Sequence, residues 1–245
     1  MLKNILKQPN LWGGIIPLHL IGVYSIYNIF AGSVPSWWLI ATIIGYFCMC
    51  ILGADMVYHR LFSHRGYKVH PIIERLLLFF GVISMQGSPI FWIGVHRGYH
   101  HRYSDTDKDV HSPRHGFWHS YILWTFKLSK MNIRSVIDLT KDPYMVFAHR
   151  HNSKISWVTH LVVAMISIDL WLYLLVLPAL ITLHGFLAQT SITHIRWLGY
   201  QRHKTGDDSM NCPWLFPIIL GAAWHNNHHS KGRNPNFSER WWELD

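Results

Sequence analysis

Cysteine is scarce: Cys48, Cys50 and Cys212 are all there is in 245 residues. Two lie inside an apolar run and none has zinc-site spacing, so neither a disulfide framework nor a thiolate zinc site is expected. That fits a reducing compartment. Charge is scarce too. Only 14% of residues are charged, and 13 Asp and Glu face 22 Lys and Arg. With half the residues hydrophobic, this composition excludes an ordinary soluble globule and argues for a membrane protein. The basic excess is then the orienting excess of cytoplasmic loops; a nucleic-acid role would need a basic face without membrane segments. No NAD or flavin fingerprint occurs, because Gly13-Gly14 and the other glycines lack the strand–loop–helix context of such a site. Internal repeats, low-complexity tails and coiled-coil heptads are absent.

What is present are long apolar runs. A helix crossing the hydrocarbon core needs about 20 apolar residues. Residues 11–31 qualify, with His19 as the one ionisable group and Lys3 and Lys7 ahead of them. No small-residue cleavage site follows, so this is expected to be a retained first span. The turn-forming stretch Gly32-Ser33-Val34-Pro35-Ser36 leads to Trp37-Trp38, interfacial aromatics that open a second span over 37–55. Residues 72–95 are apolar but broken at Gly87-Ser88-Pro89, and are expected to lie at the interface or under a cytoplasmic domain. Spans at 155–168 and 172–192 form a second hairpin joined near Asp169. No Lys or Arg lies between Lys154 and Arg196, so the 169–172 turn is placed outside. The expectation is an all-α, single-domain integral membrane protein over 1–245. It has four spans in two hairpins, with both termini and the parts 56–154 and 193–245 in the cytoplasm as a histidine-rich cap.

The histidines carry the chemistry. They fall in three clusters: His59 to His64, His96 with His100-His101, and His225-Asn226-Asn227-His228-His229. Imidazole is the commonest protein ligand for first-row transition metals. Positions three and four apart share a helix face, so 225/228 and 225/229 can each point into one site, while neighbours 228 and 229 diverge and can serve two ions. His59 and His64 are five apart, about 140 degrees on a regular helix. They reach separate metals, or the helix ends between them. His19, His160 and His184 lie in spans and are expected to be buried between helices rather than ligands. His111, His115 and His119 share four-residue spacing and form a further candidate metal face. Asp55, one turn before His59, is a candidate partner for its ring; Asp105, Asp107 and Asp109 are weaker ones. Arg97, Arg102, Arg114 and Lys108 are candidates for a headgroup phosphate, and Tyr46, Phe47 and Met49 for lining an acyl tunnel.

From about Trp37 onward the chain resembles the membrane fatty-acyl desaturases. The resemblance is carried by His59-Arg60-Leu61-Phe62-Ser63-His64, Trp92 ahead of His96-Arg97, Tyr103-Ser104-Asp105-Thr106 and His111-Ser112-Pro113-Arg114-His115-Gly116-Phe117. It continues through Asp207-Asp208-Ser209, Trp224-His225-Asn226-Asn227-His228-His229 and Trp241-Trp242-Glu243. It looks most like the branch with the acyl-CoA and bacterial delta-9 enzymes. The resemblance implies a two-iron centre held by His59, His64, His96, His100, His101, His225, His228 and His229. In the stretch Thr190-Ser191-Ile192-Thr193-His194 it implies a ninth ligand, His194. Thr190 and Asn226, with Asp55 and Asp105, are the implied outer partners. The implied activity is the oxygen-dependent insertion of a cis double bond into a fatty acyl chain on CoA, a carrier protein or a glycerolipid. Electrons then come from a separate carrier, a ferredoxin or a cytochrome b5. A fatty acyl hydroxylase is the near alternative, and a histidine-rich membrane metal transporter the distant one.

Three departures from the family pattern stand out. Three residues separate His96 from His100-His101 where the family has two, and Gly98 is expected to absorb the extra one in a wide turn. Thr190 replaces an Asn, and Ala222 stands where a Glu often precedes the last cluster. The small size and lack of a long N-terminal extension favour a bacterial inner membrane over the endoplasmic reticulum.

Overall fold

The computed structural model describes residues 14–127 and 131–245. The first residues of the expected 11–31 span, with Lys3, Lys7 and Gly13, lie outside them. The described residues are helical, with no strand and only the isolated bridges Tyr200–Asn211 and Asn211–Trp224. Helix α1 spans Ile16–Phe30 and α2 spans Trp37–Ser63. Helix α3 is Pro71–Ile83. Helix α4, Pro89–Val95, runs on through a π turn, His96–His100, into His101–Tyr103. After α5, Phe117–Tyr121, come α6, Pro143–Ile166, and α7, Ile168–Ile192. Short α8, Phe216–Ile219, and α9, His225–Ser230, close the order.

Two of these, α2 with 27 residues and α7 with 25, are long and apolar enough to cross a bilayer. The outward faces are as telling as the lengths. Leu20, Tyr27 and Phe30 of α1, Ile40, Ile43 and Phe47 of α2, and Leu161, Met165 and Ile166 of α6 are all exposed. In water so many exposed apolar side chains would be a liability; in lipid they are the solvent-matched surface.

The second hairpin turns earlier than the sequence suggests. The break falls at Ser167, with extended backbone, and 169–172 are already helical. Ser167 caps α7 by accepting from Leu170 N at 3.2 Å, and Asp169 sits in the first turn, where a negative group meets the positive end of the helix dipole. Residues 72–95 form α3 and α4 with a left-handed kink at Met85 and Gly87 between them. Helix α3 packs along α2, burying Leu77, Leu78 and Val82 against Val57, Tyr58 and Leu61. Contact is closest at Gly53, where a Cβ would stand 2.5 Å from Gly81 N and 2.6 Å from the Phe80 carbonyl carbon. Neither backbone atom can yield, so small residues are needed here. Gly53→Val is expected to cost about 1–3 kcal/mol, read as a lower unfolding temperature in detergent with α3 displaced from α2.

The lower half of α2 winds with i→i+5 hydrogen bonds from Phe47 to Ser63. His64 N donates to His59 O at 3.0 Å, and Arg65 N to Leu61 O closes the helix. On such a winding residues five apart share a side, so His59 and His64 turn the same way. The same device works at His96–His100, where the wide turn expected at Gly98 is found. Gly98 lies so close to Asn132 and Ser135 that a Cβ would meet them at 2.9 and 3.1 Å. Helix α9 is seated by Asn211, whose Oδ1 accepts from Asn226 N at 2.9 Å and Asn227 N at 3.1 Å. That supplies the cap its own sequence lacks.

Candidate metal centre

These helix ends bring nine imidazoles to one place. His59 and His64 from α2, His96 and His101 from the extension of α4, and His228 from α9 form one group. Their nitrogens all lie within 4.8 Å of one another. His64 Nε2 is 2.8 Å from His96 Nε2, and His228 Nε2 is 3.0 Å from His59 Nε2 and 2.9 Å from His101 Nε2. Two ligands at right angles on a metal with bonds of about 2.1 Å stand about 3.0 Å apart, so the spacing fits a shared ion. His100, His194, His225 and His229 form the second group, with His194 and His225 Nε2 atoms 3.1 Å apart. The Nε2 atoms of His100 and His229 are buried with no hydrogen-bond partner. Buried polar atoms left this way want a ligand.

His59 and His64 therefore join one group rather than two, because of the π winding. His228 and His229 diverge into different groups, as adjacent helical residues should. Thus 225/229 is the pair of the last cluster that shares a group, and 225/228 is divided.

The backs of the rings are held unequally. In the five-imidazole group, His59 Nδ1 donates to Asp55 Oδ1 at 2.9 Å. In the four-imidazole group, three rings donate to carboxylates: His100 to Asp109 at 3.0 Å, His194 to Asp105 at 2.8 Å and His229 to Asp207 at 2.7 Å. The fourth, His225, has Gln189 Nε2 3.3 Å from its Nδ1, while Gln189 Oε1 is buried without a partner. Turning that amide over lets Nδ1–H donate to Oε1. Ring-back acceptors of this kind fix the tautomer and leave Nε2 free to bind metal.

Electrostatics favour the neutral, ligating form. Burial, then the crowd of neighbouring imidazoles, holds His96, His101, His225 and His228 well below the usual histidine range. Burial pushes His64 down to about 2 and His229 to about 4, the latter against the pull of Asp207. His194 is the exception: burial opposes the charge, but the hydrogen bond and charge of Asp105, together with the nearby carboxylates of Asp207 and Asp109, outweigh it and the net shift is upward. Burial would raise Asp207, but the His229 hydrogen bond and further donors from Ser209 and Thr205 hold it far below the usual carboxylate range. Removing its charge while keeping its shape, Asp207→Asn, is expected to weaken metal binding in the four-imidazole group about 10–100-fold. Metal titration of the purified protein would measure this.

Several expected site residues sit elsewhere. Thr190 donates to Leu187 O and does not reach the rings. Asn226 accepts from Arg202 N and His203 N and donates to His203 O, so it braces the 202–209 loop. Arg97 spends its guanidinium on Phe62 O, Ser63 O, Ser135 O and Asp138, capping the carbonyl end of α2. Arg102 is exposed at the rim. Phe47 faces outward at 49% exposure, whereas Tyr46 packs inward near Cys50, Phe186 and Trp92, and Trp92 stacks on His96. The face His111, His115, His119 does not assemble: a short turn at Pro113–His115 and Gly116 at φ 97° break the helical spacing. His111 is buried beside Asp109 and His100, and burial pushes it down to about 3. His115 and His119 stand apart from it, paired with each other. His184 bonds His19 and Tyr121, and His160 accepts from Trp171. Asp207 and Gln189 were not legible beforehand as ring partners; each joins a histidine 22 or 36 residues away.

A family model described as fatty acid desaturase matches residues 35–244. Among curated relatives, the palmitoyl-monogalactosyldiacylglycerol delta-7 desaturase of Arabidopsis thaliana is 29% identical over 94% of this chain and 62% of its own length. The sn-1 stearoyl-lipid 9-desaturase of Anabaena variabilis is 33% identical, covering 79% of this chain and 72% of its own. An acyl-CoA C20 delta-5 desaturase of Anemone leveillei is 29% identical over 96% and 77%. The chain thus spans roughly three-fifths to three-quarters of the length of these relatives. The histidine clusters, which make up both imidazole groups apart from His194, lie within the matched region, and the chain belongs to the fatty acid desaturase family.

Proposed function

We propose that this protein is an oxygen-dependent, two-iron membrane desaturase that inserts a cis double bond into a fatty acyl chain. One observation carries the reading: nine imidazoles from four separate stretches meet in two adjacent groups, four of them with the outer nitrogen held by a carboxylate. His59, His64, His96, His101 and His228 would hold one iron, and His100, His194, His225 and His229 the other. Neutral imidazoles suit iron, and the carboxylates behind them offset its charge. Bound iron would supply the activation of dioxygen needed to remove hydrogen from an unactivated methylene.

The chain's own part is positioning and exclusion. Asp55, Asp105, Asp109 and Asp207 keep their rings aimed inward. Phe237, with its ring 4.3 Å from that of His228, and Trp92 against His96 close the groups off from water, which strengthens every electrostatic interaction inside. The inward line of Tyr46, Phe186 and Trp92 is the natural bed for an acyl chain rising from the bilayer.

The four-span topology belongs to this reading. The exposed apolar faces of α1 and α6 complete a band with α2 and α7, and every cluster falls at one end of it among Lys and Arg. That end is the cytoplasm by the positive-inside rule, in a bacterial inner membrane. Substrate on CoA or on a glycerolipid matches what the relatives' names state for those proteins. Electrons come from a separate ferredoxin or cytochrome b5. Expression in a host lacking its own desaturase tests the reading through gas chromatography–mass spectrometry of total fatty acids. New cis-monoenes and about two irons per chain are expected. Hydroxy acids without monoenes would instead make it a hydroxylase, and zinc without oxygen consumption a metal transporter or binding protein.

A further inference from the structure

The stretch Cys212-Pro213-Trp214-Leu215-Phe216-Pro217-Ile218-Ile219-Leu220-Gly221-Ala222-Ala223 holds no charged side chain, although it falls in the part of the chain, 193–245, that the sequence reading gives to the cytoplasm. Such a run is too short to cross a bilayer and has the length of a re-entrant or interfacial segment. The structure folds it as a closed hairpin. Its base is pinned where Cys212 N donates to Ala223 O at 2.9 Å. One arm carries α8 and the other returns through a tight turn at Leu220–Ala223, and the Phe216 ring stacks on Trp224.

Helix α7 sets where the hairpin goes. Its inner side, with Leu215 and Ile219, packs on Ile192, the last residue of α7. Its tip climbs to Gly185, where a Cβ would stand 3.2 Å from Ile219 Cγ2 and 3.9 Å from Ile218 Cγ2. Gly185 lies two helical turns before Ile192, or about 10 Å along the axis. With 25 residues, α7 is about 37 Å long and overshoots a hydrocarbon core of about 30 Å by only a few ångströms at either end. Ile218 and Ile219, level with Gly185, therefore stand below the membrane surface.

The hairpin's outer side agrees with that depth. Trp214 is 51% exposed and Ile218 44%, with Pro213 and Pro217 exposed beside them. Trp197, 82% exposed, adjoins Leu198, whose carbonyl accepts from Trp214 Nε1 at 2.7 Å. Tryptophans at the edge of an apolar patch are the mark of a membrane–water boundary. The backbone also suits a medium that offers it no hydrogen bonds. Two prolines have no N–H to satisfy, Leu215 N donates to Cys212 O, and Leu220 N donates to Phe216 O. The reversal itself is made by Leu220 at φ 47°, a conformation that turns facing water give to Gly, Asn or Asp.

We propose that the 212–223 hairpin is inserted into the lipid leaflet on the histidine side, with Trp197 and Trp214 at headgroup level and Ile218 among the upper acyl carbons. The partner is a lipid surface rather than a protein, because the hairpin starts from the end of a bilayer-crossing helix, climbs along it and brings no charge with it. This goes beyond the desaturase reading and depends only on α7 as a span. Helix α9 begins at His225, one residue past the hairpin, so the segment ties the rings of His225, His228 and His229 to the bilayer.

The test uses the full chain in lipid nanodiscs. Cys48→Ala removes the part-exposed native thiol, Cys50 and Cys212 are buried, and this parent chain is the blank. A nitrobenzoxadiazole label is placed through Ile218→Cys, through Asn236→Cys as the water-exposed reference and through Ile43→Cys as the lipid-exposed one. The label at position 218 is expected to lose about half its emission to phosphatidylcholine bearing a nitroxide at acyl carbon 5, less to one at carbon 12, and almost none to aqueous iodide, as for a segment seated about 5–10 Å deep. At position 236 only iodide acts. The unaltered chain gives a second reading: a photoactivated diazirine dissolved in the lipid tails is expected to mark peptides holding Trp214 and Ile218 and to spare those holding Asn236. Iodide quenching at 218 equal to that at 236, with the nitroxide lipids silent, overturns the proposal and leaves the patch to a protein partner. Stronger quenching from carbon 12 than from carbon 5 overturns it too, since the hairpin would then run deeper than its contacts with α7 allow. A label at position 43 that iodide reaches and lipid does not would take the spans down with the hairpin.

Discussion

His228→Ala is expected to abolish monoene formation and to lower the iron content of the purified protein by about half. His228 is the hub of the five-imidazole group: its Nε2 lies 3.0 Å from that of His59 and 2.9 Å from that of His101. Without it, ligands from α2 and from the extension of α4 lose the side chain that joins them to α9. The ring is fully buried, so alanine also leaves a polar-lined hole that water can enter. His160→Ala is the control. That imidazole is equally buried and accepts from Trp171 Nε1 at 3.1 Å, but it lies outside both groups. Its loss costs the packing and one hydrogen bond, about 1–3 kcal/mol, and leaves iron content as it was. Elemental analysis beside fatty-acid profiles separates the two outcomes. Iron retained at the wild-type level in His228→Ala would show that the five rings do not act on a common ion.

The histidines themselves were legible because clustering is a sequence property. Their sorting into two groups was less so. The reading of His59 and His64 as diverging assumed regular helix, and nothing in Phe47–Ser63 announces a π winding. The wide turn at Gly98 was visible only because an extra residue had to be absorbed between His96 and His100. Ring-back partners were legible where they are local: Asp55 is one turn from His59. Asp207 reaches His229, and Gln189 reaches His225, across folded loops that no periodicity encodes. Arg97 shows the opposite failure. A cation beside a metal cluster invites a role in substrate binding, yet the carbonyl end of α2 needed donors, and Arg97 is what fills that need. Phe47 failed for a simpler reason: composition says that a span is apolar, not which side faces lipid.

Arg60→Met is expected to be the most destabilising single change near the site that leaves every imidazole in place. The Arg60 guanidinium lies over the Phe237 ring, 4.0 Å from its centroid. It donates from Nε to Asp55 Oδ2 at 3.0 Å, and from Nη1 and Nη2 to the two carboxylate oxygens of Asp245 at 2.7 and 2.6 Å. A further donor reaches Pro235 O at 2.6 Å. Both carboxylates are buried, at 5% and 4% side-chain exposure. Methionine fills the volume but strands them, and breaking a buried pair from one side costs about 3–5 kcal/mol. In a chain of this size that is a fall of roughly 10 °C in unfolding temperature. The damage is also directional. Asp55 holds His59 Nδ1 with its other oxygen, so an unpaired Asp55 loosens a ring of the five-imidazole group, and iron binding there weakens along with stability. The double variant Arg60→Met with Asp245→Asn discriminates cause. It removes one of the two stranded charges, so unfolding temperature recovers in part while the His59 defect stays. Lysine is a poor rescue, because a single ammonium cannot serve two carboxylates and a carbonyl in the plane that a guanidinium fits. Equal stability in Arg60→Met and wild type would mean that the network is ornamental, and that His59 is oriented by its neighbouring rings alone.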